Sequence, residues 1–180
     1  QTVAATGRLT STNPNLQNIP IRTENGRKVR AMFIPGDEER ILLAADYSQI
    51  ELRVIAALAK DDAMIAAFQA GEDIHRTTAA KVFEVAPAEV TREQRSNAKT
   101  VNFGIVYGVS AFGLSQQTDM SRKEAKAAID GYFRTYPGIK KYMDDQVVFA
   151  RNHGYVETIT GRRRYLKDIE SRNAVVRGHS

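Results

Sequence analysis

Hydrophobic positions recur at steps of three and four through most of this chain, the spacing that lines one face of a helix. From Gln49 onward, Leu52, Ile55, Ala56 and Ala59 fall on such a face. Two shorter helical patterns follow in DAMIAAFQAG and DIHRTTAAKVF, each with Gly or Pro nearby. Thr91 followed by Gln94 has the capping-box pattern, which starts a helix there and carries it into NFGIVYG. Ser121 with Glu124 repeats the pattern ahead of the amphipathic RKEAKAAIDGYFRTY. Pro137 ends that helix and opens the next, PGIKKYMDDQVVFARNH, with Gly154 as its stop.

Strand signals are confined to the two ends. RILLAADYS has the continuous apolar character of a buried strand, ending in Asp46. YVETI and RRRYL flank Thr160–Gly161 and read as a β-hairpin. Residues 1 to 40 are rich in Thr, Asn, Pro and Gly and read as loop and short hairpin segments. The expected fold class is mainly α with a small β component. No internal repeat or low-complexity segment interrupts it.

Composition narrows the function classes. The 180 residues suit one ordinary domain, and 42% hydrophobic with 26% charged residues suits a globular protein. The absence of cysteine excludes disulfides and thiolate zinc sites and fits a cytoplasmic location. Apolar runs such as ILLAA fall far short of the roughly 20 residues a membrane span needs, so no membrane partner is expected. The net charge is +5, and Arg162, Arg163, Arg164, Lys167, Arg172 and Arg177 face only Asp168 and Glu170 in the last twenty residues. Such local basicity points weakly to a polyanion, and a solubilising surface explains it equally well. The chain opens at Gln1 and stops at RGHS, which reads as a piece of something larger.

Two stretches carry candidate chemistry. In DYSQIELR, Asp46 at a strand end could hold a hard cation with the Tyr47 carbonyl beside it, or could simply cap the helix that follows. Glu51 could be an ordinary helix-surface acid. In RSNAKTVNFGIVYG, Arg95, Lys99, Phe103 and Tyr107 stand at steps of four. Each lies about 40° round and about 6 Å along from the last, a winding stripe about 18 Å long. Cations at one end suit phosphates and aromatics at the other suit a base. A half-buried helix whose cations snorkel while Phe and Tyr pack accounts for the stripe equally well. Gly104 and Gly108 each cost about 1 kcal/mol against Ala in a helix interior, which suggests a close backbone approach.

Taken in order, TGRLTSTNPNLQNIPIRT, DYSQIELR, GEDIH and RSNAKTVNFGIVYG resemble the polymerase region of family A DNA polymerases, the family of bacterial DNA polymerase I. DYSQIELR looks like that family's motif A and RSNAKTVNFGIVYG like its motif B, and the resemblance runs from about residue 5 to 177. It implies part of a palm in residues 1–60 and a fingers subdomain in 61–180, with the palm incomplete. The implied activity is template-directed DNA synthesis, with primer–template DNA, deoxynucleoside triphosphates (dNTPs) and the remainder of the polymerase chain as partners.

The resemblance also implies roles residue by residue. Asp46 would hold two magnesium ions, aided by the Tyr47 carbonyl. Arg95 and Lys99 would bind the incoming triphosphate, with Lys99 as proton donor to pyrophosphate. His75 would reach the phosphates, against the plainer reading of an exposed helix histidine. Phe103 would stack near sugar and base, and its missing hydroxyl implies rejection of dideoxynucleotides. Glu51 would exclude a ribose 2′-OH, hydrogen-bonded to Tyr107, and Tyr107 would stack over the templating position. Gln49 would complete the nucleotide site. Arg8, Asn15, Asn18 and Arg22 match the segment lining the primer–template duplex.

One departure stands out. The family's second catalytic Asp belongs to a downstream His-Asp-Glu motif that these 180 residues do not include. Asp144 and Asp145 lie on an exposed helix face and are poor substitutes, and the final GHS leaves the pattern. The isolated chain is therefore expected to be inactive. Two other readings compete: a helix-turn-helix DNA-binding module in AFGLSQQTDMSRKEAKAAI, and a structural piece with no nucleotide site. Arg162 to Arg164 fit a structural hairpin better than a site.

Overall fold

The structure, a computed structural model, describes residues 2–3, 7–21 and 23–177. Strands β1 (Thr2–Val3) and β2 (Leu9–Thr10) pair antiparallel, and helix α1 spans Glu24–Ala31. A helical series follows: α2 (Ile50–Ala59), α3 (Asp62–Gln69), α4 (Ile74–Val82), α5 (Arg92–Val106), α6 (Ala111–Ser115), α7 (Arg122–Thr135) and α8 (Pro137–His153). Strands β3 (Tyr155–Glu157) and β4 (Arg163–Tyr165) form a second antiparallel hairpin, and α9 spans Ala174–Arg177. The chain is mainly helical with a small β component, as its periodicity predicts.

The chain divides into two compact units, residues 48–153 and residues 1–47 with 154–180. In the first, α2, α3, α5, α7 and α8 enclose one apolar core. Leu52, Met64, Val101, Leu114, Tyr132 and Ile139 are fully buried there. The predicted caps set the helix starts. Thr91 and Gln94 exchange side-chain and backbone hydrogen bonds at 2.9 and 3.1 Å, and Ser121 and Glu124 do so at 2.8 and 3.3 Å. Gly154, at φ +75°, stops α8.

Two aspartates, Asp61 and Asp73, tie helices together. Asp61 is buried, accepts from the Met64 amide at 3.0 Å to cap α3, and accepts from the Gly138 amide of α8 at 2.9 Å. Asp73 does the same kind of work at the start of α4.

Two local expectations are corrected. The run expected as a buried strand, RILLAADYS, is irregular, with Ile41 83% and Leu43 86% exposed. No strand lies beside it among the described residues, so its backbone has no ladder to join. α1 occupies a stretch read as loop. Its polar sequence hides the helix, which is started by the Thr23 hydroxyl accepting from the Gly26 amide at 3.0 Å.

In the second unit the hairpin at residues 155–165 forms as predicted. Arg163 bonds Glu157 across it at 2.5 Å and stacks its guanidinium 4.5 Å over the Tyr155 ring. This is a structural use of one of the three arginines. The Arg162 guanidinium lies against Gly7, where an added Cβ would meet it.

Candidate nucleotide-phosphate site

The site residues brought together belong to α4 and α5, which pack side by side. The capping box at Thr91 fixes the first turn of α5 and with it Arg95. Asp73 fixes the first turn of α4, its Oδ1 accepting from the amides of His75 at 3.1 Å and Arg76 at 3.2 Å. Its Oδ2 accepts from Arg95 Nε at 2.7 Å, so one carboxylate joins the two helix starts. Partial burial pushes the Asp73 carboxyl up, but the bonds from Arg95 and the two amides outweigh it and hold it below its ordinary range. Because Arg95 meets Asp73 through Nε, its two Nη groups remain, among the described residues, for another acceptor.

His75 is buried, 1% exposed, which corrects the reading of an exposed helix histidine. Its ring lies 5.7 Å from the Phe103 ring. Its Nδ1 meets the Asn102 amide nitrogen at 3.0 Å, while Nε2 is buried with no hydrogen-bond partner among the described residues. Burial lowers its pKa to about 4; Arg95 and Lys99 lower it too, against the opposing pull of Asp73. At neutral pH it is an uncharged imidazole.

Further along the stripe, Lys99 is exposed and Phe103 is half-buried against the core. Tyr107 is 62% exposed at the C-cap, because α5 stops at Val106 rather than running through Tyr107. Gly108, at φ +76°, donates to Ile105 O at 2.9 Å and Val109 donates to Gly104 O at 2.8 Å, the two bonds of a Schellman stop. A Cβ on Gly104 would meet Val109 Cγ1 at 2.6 Å. The close approach that these glycines permit is the chain's own return.

Gln49 precedes α2 in the left-handed region, φ 55°, with its Oε1 buried and unpartnered among the described residues. Glu51, on α2, lines an apolar groove of about 320 Å³ with Val54, Val106 and Tyr142. This sets Glu51 at the α5 end that carries Tyr107.

The other predicted residues belong to the second unit. Asp46 and Tyr47 are exposed in the irregular segment before α2. Among the described residues no three His, Cys, Asp or Glu side chains converge as a metal site, so Asp46 with the Tyr47 carbonyl is an incomplete donor set. Asn15 accepts from the Gln17 amide at 3.1 Å, capping a short 3-10 turn over Leu16–Asn18, where Asn18 is exposed. Arg8 is exposed, and Arg22 lies outside the described residues. Asp144 and Asp145 pair with Lys140 and Lys141 one turn back on α8.

Sequence reasoning missed Asp73 and Asn102. An aspartate just before a helical pattern is the signal that marks Asp73 as a cap. For Asn102 the only hint is an amide on the buried side of an amphipathic helix.

Comparison with known proteins places the whole chain. The model of DNA polymerase family A matches residues 1–180. DNA polymerase I of Streptococcus pneumoniae serotype 4 is 58% identical over 99% of this chain, and that of Geobacillus stearothermophilus is 54% identical over 98%. The chain spans about a fifth of the length of each, 20% in both cases. Among solved structures, the POL domain of Pol1 from M. smegmatis, in complex with DNA primer-template and dNTP, is 49% identical with a TM-score of 0.87. The match covers 98% of this chain and 31% of that one. Matched by that family model from its first residue to its last, the chain belongs to DNA polymerase family A.

Proposed function

We propose that this chain is the nucleotide-gripping part of a DNA polymerase I-type enzyme, a cytoplasmic DNA-directed DNA polymerase. Residues 1–60 form part of its palm and residues 61–180 its fingers. The observation that carries the reading is the convergence on one edge of α4 and α5 of Arg95, the buried His75 and the Phe103 ring, with Lys99 close enough to act on His75. Arg95 and Lys99 give the triphosphate its charge complement, and the Asp73 contact points the Arg95 fork before the nucleotide arrives. Neutral His75 can give a hydrogen bond to a phosphate oxygen without a further charge. Lys99, exposed and cationic, is the group placed to protonate leaving pyrophosphate. Phe103 and Tyr107 offer flat faces to the sugar and base, and Glu51 and Gln49 border the sugar side. Arg8, Asn15, Asn18 and Arg22 contact the primer–template duplex.

Magnesium ions, when bound, would stabilise the attacking and leaving oxygens. Asp46 and the Tyr47 carbonyl are this chain's donors, and the remaining donors come from the rest of the polymerase chain. The 180 residues alone are therefore inactive. Calorimetric titration of the chain with a dNTP, beside its Lys99→Ala variant, tests the reading: binding lost with Lys99 supports it, and equal binding overturns it. Magnesium-dependent primer extension by the isolated chain would overturn the claim of inactivity.

A further inference from the structure

A line of buried polar groups leads from the core of the helical body to His75. The Thr78 hydroxyl donates to Asn102 Oδ1 at 3.2 Å and lies 3.1 Å from the Tyr136 hydroxyl. Asn102, Thr78 and Tyr136 are each fully buried. Thr78 has a single proton, and Asn102 takes it, so the Tyr136 hydroxyl is the donor to Thr78. Burial raises the Tyr136 pKa, which keeps that proton in place. With its carbonyl oxygen held by Thr78, Asn102 turns its amide nitrogen to His75 Nδ1 at 3.0 Å. Nδ1 then accepts, and a neutral imidazole must carry its proton on Nε2. That is the buried atom left without a partner.

We propose that Tyr136, Thr78 and Asn102 form a one-way hydrogen-bond relay that holds His75 as the Nε2–H tautomer, making Asn102 a positioning residue for an uncharged donor to an anionic phosphate. Asp73, Arg95 and Lys99 are the charged groups acting on the ring. Burial first, and then the two cations, hold it neutral, and the cations supply the anion's charge complement. The relay supplies direction: it decides that the ring offers a proton rather than a lone pair. That the acceptor is a nucleotide phosphate rests on the reading above; the tautomer does not.

The test is long-range proton–nitrogen NMR of the 180-residue chain with labelled histidine at neutral pH, His75 being assigned by loss of its signals in His75→Gln. The expected pattern is a protonated Nε2 and an unprotonated Nδ1 before any ligand is added. Asn102→Asp keeps the shape but can only accept, so it moves the proton to Nδ1. A protonated Nδ1 in the unmodified chain, or an unchanged pattern in Asn102→Asp, overturns the relay. A second arm measures dNTP affinity. Asn102→Asp weakens it about tenfold in the His75 background and little in the His75→Gln background. An equal loss in both means that the new charge repels the anion directly, which overturns the positioning role. A chain that binds no triphosphate yet shows the Nε2–H pattern and its inversion supports the relay and overturns the nucleotide reading.

Discussion

Asp73 Oδ2 receives Arg95 Nε at 2.7 Å while Oδ1 of the same carboxylate caps α4 beneath His75. Two of the candidate phosphate-site residues thus take their positions from one side chain. Asp73→Ala removes both functions. The cap accounts for about 1 kcal/mol of stability, and the pair, with both side chains about 40% exposed (40% and 39%), adds well under 1 kcal/mol. Asp73→Asn keeps an oxygen for the cap and recovers most of the loss. Urea denaturation of the two variants checks this ordering.

Asp61 is the larger case, because it is buried. Asp61→Ala strands the amides of Met64 and Gly138 at the starts of α3 and α8. The expected loss is about 2–3 kcal/mol, clearly more than Asp73→Ala. Equal losses in a denaturation series would show that burial adds nothing to the cap.

Stability should fall with acid in a window set by His75. Its folded pKa, about 4, lies below the unfolded 6.5, so between those values the unfolded chain holds the proton more readily. The His75 contribution is complete above pH 6.5 and is lost as pH drops toward 4, on the order of 3 kcal/mol in all. Asp73 lowers stability in the same direction at lower pH, since its folded pKa is depressed. His75→Gln should flatten the slope between pH 4 and 6.5 and leave the Asp73 part. A denaturation midpoint followed against pH in both proteins separates the two.

The end of α5 gives a prediction about shape rather than charge. Gly108→Ala places a Cβ at φ +76° and costs about 1 kcal/mol. Gly104→Ala collides with Val109 Cγ1 at 2.6 Å. Val109→Ala removes that atom, so it should partly rescue Gly104→Ala and do nothing for Gly108→Ala. Melting temperatures of the three single and two double variants decide it.

What the sequence made legible follows how local each signal is. The capping boxes at Thr91 and Ser121, the Gly154 stop and the hairpin at 155–165 each depend on a few neighbouring residues, and all form as read. ILLAA misleads because a strand is completed by its neighbours, and an apolar run does not name them. α1 hides because ENGRKVRA has few apolar positions to show a period. In the candidate site, the spacing of Arg95, Lys99 and Phe103 shows a stripe along one helix, though it fits a half-buried packing face equally well. The burial of His75 could not be read from the sequence, since it depends on Asn102 and Phe103 arriving from a helix 27 residues away along the chain. The link between Asp73 and Arg95 is equally non-local, at a separation of 22.

The central claim is that the α4–α5 edge grips a triphosphate. Backbone amide NMR of the labelled chain, titrated with a dNTP and separately with the matching nucleoside, tests it most directly. The account predicts shifts at Asp73, His75, Arg95 and Lys99 with the triphosphate, and none of that size with the nucleoside. Shifts confined to other helices, or the same shifts with both ligands, would contradict it.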